Sequence, residues 1–385
     1  MAFAGANFGV VLKALAGAVA PERPALVHGE RVVSWGELDA VTDRIAAGLQ
    51  ARGLKPGDIA GQMLRNTPDY LLAYFGCIKA GVVPVNVNYH YKARELADIF
   101  SRFGLKALFT ESDFATSARA AMPEGALTID VGSADWAALC ESPLPGGFAI
   151  HDDPAALFLT ATGGTTGMPK GVMWRQDDLF NVLGAGGNAN LEVPPLERVE
   201  DAADRLTNPD EPSPFRQLVA CPLMHGTGQF SAFITLNMGG SVASLPSRKF
   251  DPAELWSEVE RLKASTVVIV GPAFASPMLD CLNANPGRWD LSSVNLISSS
   301  GAVWSQENKQ GLLAHIPGAM LYDSLGSSEA VGLGGSTSAA VWGGRSLLHI
   351  ESLNVGGDHV TADIARGLST SRVGAERLKT LHGSA

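Results

Sequence analysis

Apolar positions change their period repeatedly along this chain, and each change marks an element. Leu38, Val41, Ile45 and Leu49 recur at helical spacing behind Ser34-Trp35-Gly36-Glu37. That tetrad is a capping box, in which a serine hydroxyl takes one free amide and a glutamate reaches back for another. Gly53 lies just past the last apolar position and marks the stop. A second helix is expected over Pro68 to Ala80, followed by an apolar strand, Val82-Val83-Pro84-Val85, and a short strand over Leu105 to Thr110.

The alternation resumes after Asp153. Ala156 to Thr160 reads as a buried strand running into a glycine-rich loop, Asp251 to Lys263 as a helix, and Thr266 to Val270 as a strand ending at Gly271-Pro272. Val294 to Ile297 and Ala319 to Asp323 are further strand candidates, followed by Ser298-Ser299-Ser300-Gly301-Ala302 and Ser324-Leu325-Gly326-Ser327-Ser328-Glu329. Strands alternating with helices predict an α/β fold of layered sheets flanked by helices. Polar and glycine residues gather just after the strands, where open α/β sheets bind ligands. Pro194 to Pro214 is proline-rich, acidic and aperiodic, and is expected to be an exposed loop. Beyond about Gly335 the pattern changes again.

Bulk properties narrow the partners. With 385 residues the chain should form two or three lobes. A formal net charge of -10 argues against nucleic acid or an anionic membrane as the main partner. The cysteines, Cys77, Cys140, Cys221 and Cys281, are widely spaced and form no CxxC pair, which suits a reducing cytoplasm. No stretch has the length of uninterrupted apolar residues that a spanning helix needs.

The chemistry concentrates in Thr162-Gly163-Gly164-Thr165-Thr166-Gly167-Met168-Pro169-Lys170-Gly171. Glycines let backbone amides approach phosphate oxygens, hydroxyls donate further bonds and a lysine supplies charge. The string is neither a Walker loop nor the dinucleotide fingerprint. It resembles the signature of the adenylate-forming acyl-CoA synthetase superfamily.

Other segments follow in that family's order. Ser34 to Leu49 resembles its early helix. Pro222-Leu223-Met224-His225-Gly226-Thr227-Gly228 resembles the segment where a histidine borders the acyl tunnel, and the apolar run Phe230 to Ile234 behind it is compatible with a greasy pocket. Ser299-Ser300-Gly301-Ala302 resembles the turn against adenine, and Asp323 to Glu329 the acidic station usually written Y-G-x-T-E.

The resemblance implies the N-terminal subdomains of the adenylate-forming fold over roughly residues 8 to 338, with ATP, Mg2+ and coenzyme A as co-reactants. A small-molecule carboxylic acid would be activated to an acyl-adenylate and then to acyl-CoA. It implies roles for Thr162, Gly163, Gly164, Thr165, Thr166, Gly167 and Lys170 on the β- and γ-phosphates. Gly301, Ala302, Asp323, Ser324 and Leu325 would meet adenine, Ser328 the α-phosphate and Glu329 the magnesium, with His225 beside the acyl group. Lys170, Ser328, Glu329 and His225 are thus the expected catalytic set. Leu325 stands where the family usually has tyrosine, and Ser328 where it has threonine. Lys170-Gly171-Val172-Met173-Trp174-Arg175 resembles a branch acting on long-chain fatty acids or steroid side-chain carboxylates.

The family continues with an aspartate station for ribose, a hinge and a mobile lid domain carrying a late lysine, and none of these is expected here. Instead, Asn354 to Thr361, Asp363 to Leu368 and Glu376 to Gly383 resemble a fragment of the bacterial actin-like cell-division ATPase. The expected division is residues 1–338 as an acid-activating unit lacking its lid, with turnover impaired by that truncation, and 339–385 as an unrelated tail joined by fusion or a broken frame. Two alternatives stand beside the ligase reading: a nucleotide- or acyl-binding module without turnover, and a cell-division scaffold fragment resting on the tail alone.

Overall fold

The computed structural model describes residues 5–162, 170–202, 215–328, 330–339, 341–342 and 345–346. In chain order the strands are β1 (Pro24–His28), β2 (Arg31–Ser34), β3 (Ile59–Met63), β4 (Val83–Asn86), β5 (Ala107–Thr110), β6 (Leu127–Asp130), β7 (Leu157–Thr162), β8 (Lys170–Arg175), β9 (Arg216–Val219), β10 (Ser241–Ser244), β11 (Thr266–Ile269), β12 (Leu296–Ser300), β13 (Met320–Ser327) and β14 (Ala330–Ala339). Two sheets are built from them. The larger runs β14-β13-β12-β11-β9-β10-β1-β2 and the smaller β6-β5-β3-β4-β7-β8, with a separate two-stranded ribbon at Val341–Trp342 and Arg345–Ser346.

Helices fill three layers around these sheets. Phe8–Ala18, Trp35–Ala51, Pro68–Ala80 and Gly226–Asn237 pack together, with Pro68–Ala80 touching β3 and β4 of the smaller sheet and β1 of the larger. Their shared core is aromatic: Phe8, Tyr74, Phe75, Phe158 and Phe233 meet with ring centroids 5.0 to 5.9 Å apart. The outer face of the larger sheet is covered by Pro252–Leu262, Pro272–Ala284 and Gln306–His315, and that of the smaller by Ala93–Phe103 and Ser112–Ala121. The pleat explains the division: on β11, Val268 joins the central core while Val267 and Ile269 join the outer one. On β5, Ala107 and Phe109 face inward and Leu108 outward. Strands buried on both faces read as continuous apolar runs, as parallel sheets require.

The helix read from Ser34 spans Trp35–Ala51, with Ser34 Oγ accepting from the Glu37 N–H at 3.2 Å. Only that half of the capping box appears among the described hydrogen bonds. Pro68–Ala80 forms as expected, closed by Gly81 in the left-handed region at φ 78°. Asp251 caps Pro252–Leu262 through bonds from the Ala253 and Glu254 amides.

Two expectations change. The serines after Ile297 and the residues after Asp323 lie within strands, because parallel pairing continues from Leu296↔Met320 to Ser300↔Ser324, and β14 then holds β13 extended to Ser327. The stretch from Pro194 is not wholly an exposed loop: Leu196 and Ala202 are buried in the central core, and residues 203–214 lie outside the described residues.

Four charged side chains pin the central layer. Lys79 is fully buried and its Nζ lies 2.6 Å from Asp39 and 2.7 Å from Asp43, while Lys13 reaches the same two carboxylates at 2.9 and 2.7 Å. Three helices are thereby tied through one charge cluster.

Candidate active site

A cavity of about 400 Å³ opens where the central helices meet β11, β12 and β13. On the sheet side stand Ser298, Ser300, Gly301, Tyr322 and Ser324, and at the rim Gly326, Ser327 and Ser328. Opposite them are Val182, Leu183, Gly187 and Asn188, and one face of the helix Gly226–Asn237. That face presents Thr227, Phe230, Ser231 and Ile234, the i, i+3, i+4, i+7 spacing that places residues along one helical stripe. The lining therefore combines serines, asparagines and glycines with apolar side chains, Val182, Leu183, Phe230 and Ile234 from the helical side and Val268, Leu296 and Val331 from the sheet side.

The glycine-rich loop is bounded at both ends by described residues. Thr162 closes β7 and Lys170 opens β8, the two are antiparallel partners, and the Thr162 hydroxyl lies 3.5 Å from the Lys170 carbonyl. Lys170 is exposed. Gly163, Gly164, Thr165, Thr166 and Gly167 lie outside the described residues, as does Glu329.

Of the remaining expected residues, Gly301, Ser324 and Ser328 line the cavity. Gly301 has φ 83°, a left-handed backbone that lets the chain leave β12 sharply. Ala302 is exposed and packs against Gly271, where an added Cβ would sit 2.7 Å from the Ala302 Cβ. Leu325 pairs through its backbone with Gly334, and its side chain lies outside the described set.

Asp323 takes another direction. Strand alternation sends Tyr322 and Ser324 toward the cavity and the Asp323 carboxylate to the far face of β13. There it meets Lys309 Nζ at 2.5 Å, with Lys309 only 4 % exposed and its ammonium 5.5 Å from the Trp304 ring centroid. Burial pushes the Asp323 carboxyl above its ordinary range, and the Lys309 charge offsets only part of this.

His225 is the N-cap residue of Gly226–Asn237 and is exposed, outside the cavity lining. Partial burial, and then the charge of His90, lower its pKa below the usual imidazole value. Gly226 and Thr227 are the members of this segment that line the cavity.

Several residues that sequence reasoning missed hold these stations. Tyr322 lines the cavity and packs over Gly335, where a Cβ would fall 2.4 Å from its hydroxyl. Counting alternation outward from Asp323 could have found it. The Asn66 amide donates to the Cys221 carbonyl at 2.8 Å and accepts from the Leu223 amide at 2.7 Å, fixing the approach to His225. Trp174 and Asn86 make comparable ties; Trp174 stood in the Lys170 to Arg175 motif without this role, and Asn86 carried no sequence signal.

A family model described as AMP-binding enzyme matches residues 14–353, and the chain belongs to that family. Cell division protein FtsA matches residues 331–385. The medium/long-chain-fatty-acid–CoA/3-oxocholest-4-en-26-oate–CoA ligase of Mycolicibacterium smegmatis is 32% identical over 361 residues, covering 89% of this chain and 62% of that protein. The 3-oxocholest-4-en-26-oate–CoA ligase of Rhodococcus rhodochrous is 33% identical over 339 residues, covering 82% and 59%. The chain thus spans about three fifths of the length of these relatives. Its fold matches a long-chain-fatty-acid-CoA ligase from Archaeoglobus fulgidus with TM-score 0.72 at 17% identity, over 86% of this chain and 65% of that one. The N-terminal domain of FACL13 from Mycobacterium tuberculosis matches with TM-score 0.68 at 20% identity, over 84% and 76%.

Proposed function

We propose that this chain activates an apolar carboxylic acid with ATP, forming an acyl-adenylate and pyrophosphate, and that the adenylate is then taken by the thiol of coenzyme A. The observation that carries this reading is a single cavity whose lining joins Ser300, Gly301, Ser324 and Ser328 to the apolar Val182, Phe230 and Ile234. Adenylation must bring a carboxylate to the α-phosphorus, two anions whose repulsion needs fixed donors and positive charge. In this reading the Ser328 hydroxyl donates to the α-phosphate, Lys170 and the loop from Thr162 to Gly167 hold the β- and γ-phosphates, and Gly301 and Ser324 border adenine. Magnesium, which takes one or two carboxylates plus phosphate oxygens, would be held by Glu329 and would offset phosphate charge. His225 would act at the mouth of the site.

The apolar part of the lining suits a long-chain or steroid-like acid, the substrate class printed for the mycobacterial and rhodococcal relatives. We assign this activity to residues 1–338 and treat 339–385 as a second unit, related to the FtsA match. Among the described residues no helix is long and apolar enough to cross a membrane. All four cysteines are free, and we place the protein in the reducing cytoplasm.

Acid-dependent exchange of labelled pyrophosphate into ATP tests the proposal. Exchange that rises with the chain length of a fatty acid supports it. ATP binding without exchange would instead leave a nucleotide-binding module, and loss of both would remove the site assignment.

A further inference from the structure

We propose that Asn86 is a positioning residue that couples the strand entering the phosphate loop to the segment leading into His225, so that the nucleotide and acyl sides of the cavity are set by one side chain. This rests on the acid-activating reading above and names a part of that site which the sequence did not reveal.

Asn86 ends β4, which neighbours β7 in the smaller sheet. The ladder between those strands is short, with Val85↔Leu159 as its paired position. Past it the Asn86 side chain takes the place of a strand: Oδ1 accepts from the Ala161 N–H at 2.7 Å, and Nδ2 donates to the Ala161 carbonyl at 3.0 Å. Ala161 directly precedes Thr162. The second Nδ2 hydrogen goes to the Met224 carbonyl at 2.6 Å, one residue before His225. Asn86 is 5% exposed, so water cannot replace these partners freely.

No other residue type satisfies all three groups in this space. They need one acceptor and two donors on a short planar head, which is the inventory of a primary amide. Aspartate keeps the acceptor but turns the other oxygen against two carbonyls. Alanine leaves the Ala161 N–H and both carbonyls unpaired. The segment before the loop and the segment before His225 would then lose their common reference together, although they lie more than sixty residues apart in sequence.

Hydrogen–deuterium exchange on the full chain tests this directly with Asn86→Asp and Asn86→Ala, two variants in case one folds poorly. The expected result is faster exchange, by about tenfold or more, in both 157–162 and 222–228, with the helix Pro252–Leu262 as protected as in the wild type. A change in only one segment, or an even loss across all three, overturns the coupling. In pyrophosphate exchange the KM values for ATP and for the acid should rise together. A lower melting temperature with unchanged kinetic constants would reduce Asn86 to a structural residue and overturn the proposal. Protection is read without turnover, so a wild type that exchanges no pyrophosphate defeats the acid-activating reading while paired loss of protection still supports the tie.

Discussion

The indole N–H of Trp174 donates to the carbonyl oxygen of Ser328 at 2.8 Å, joining the strand that leaves the phosphate loop to the rim of the cavity. Trp174 lies on β8, the edge strand of the smaller sheet, and Ser328 follows β13 of the larger. Two sheets that share no backbone ladder are thus linked at Ser328, the residue proposed to meet the α-phosphate.

Trp174→Phe keeps most of the ring and removes the donor. A neutral hydrogen bond of this kind contributes about 1 kcal/mol, so acid-dependent pyrophosphate exchange should fall roughly fivefold with little change in melting temperature. Steady-state kinetics beside a thermal melt check it; unchanged exchange would show that Ser328 is held by other means.

Lys170→Ala should weaken ATP binding about tenfold or more, because a charge-assisted contact contributes roughly 1.5–3 kcal/mol. Lys170 is exposed and its ties to Thr162 run through its own backbone, so the fold should persist. Titration calorimetry with ATP is the measurement, and wild-type affinity in the variant would remove Lys170 from the phosphate site.

Ile234→Trp should shorten the acids accepted. Ile234 shares a helical stripe with Phe230 in the lining of a cavity of about 400 Å³, and an indole there takes space from the acyl chain. The ratio of kcat/KM for a long acid to that for a short one should fall by about tenfold, since each lost methylene contact contributes about 0.8 kcal/mol. An unchanged ratio would place the acyl group elsewhere.

Much of this architecture was legible, and the reason differs from element to element. Trp35–Ala51, Pro68–Ala80 and Pro252–Leu262 announce themselves because caps and apolar period are local. The ends of β12 and β13 did not, since serines and glycine in a row look like turns, and only neighbouring strands keep them extended. Residues at the cavity such as Gly301, Ser324 and Ser328 were reached through the family's order of stations. Asn66 and Asn86, and the contact that Trp174 makes, stayed hidden because a lone amide or indole has no period, and its partner lies on another sheet or segment. The Lys309–Asp323 pair required knowing which face of β13 each side chain takes.

Lys79→Met should cost about 3–5 kcal/mol, the range for breaking a buried ion pair from one side. Asp39 and Asp43 would be left facing Lys13 alone, which is partly exposed. Denaturant unfolding measures it. A loss below about 1 kcal/mol would mean that the two carboxylates find water instead.

The same cluster gives stability a pH signature. Burial alone would raise the Asp39 carboxyl, but Lys79 and Lys13 together hold it below its ordinary value of 3.8. Its contribution is therefore full above pH 3.8 and lost as pH falls through the lower folded-state value. Lys13 behaves in the opposite sense. Burial would lower it, yet its bonds to Asp43 and Asp39 hold it above 10.5, so its share persists below pH 10.5 and fades as pH rises through the higher folded-state value. Unfolding curves for wild type and Asp39→Asn should converge in acid; a constant gap down to the lowest pH would contradict the assignment.

The position of β1 carries a consequence for how the molecule is made. β1 pairs with β10 through Leu26↔Val242, Val27↔Ala243 and His28↔Ser244, so the hairpin β1–β2 completes a sheet whose other six strands come from residues 216–339. During synthesis the hairpin β1–β2 emerges long before its partner and must wait, its apolar Leu26 and Val27 uncovered, while some two hundred residues follow. Contacts so distant in sequence close slowly, and an unpaired edge invites other chains meanwhile. The larger sheet, and with it the β12–β13 wall of the cavity, reaches its final order only once translation has passed β14. A ribosome-associated chaperone that covers β1 and β2 during that interval should therefore raise the yield of folded protein.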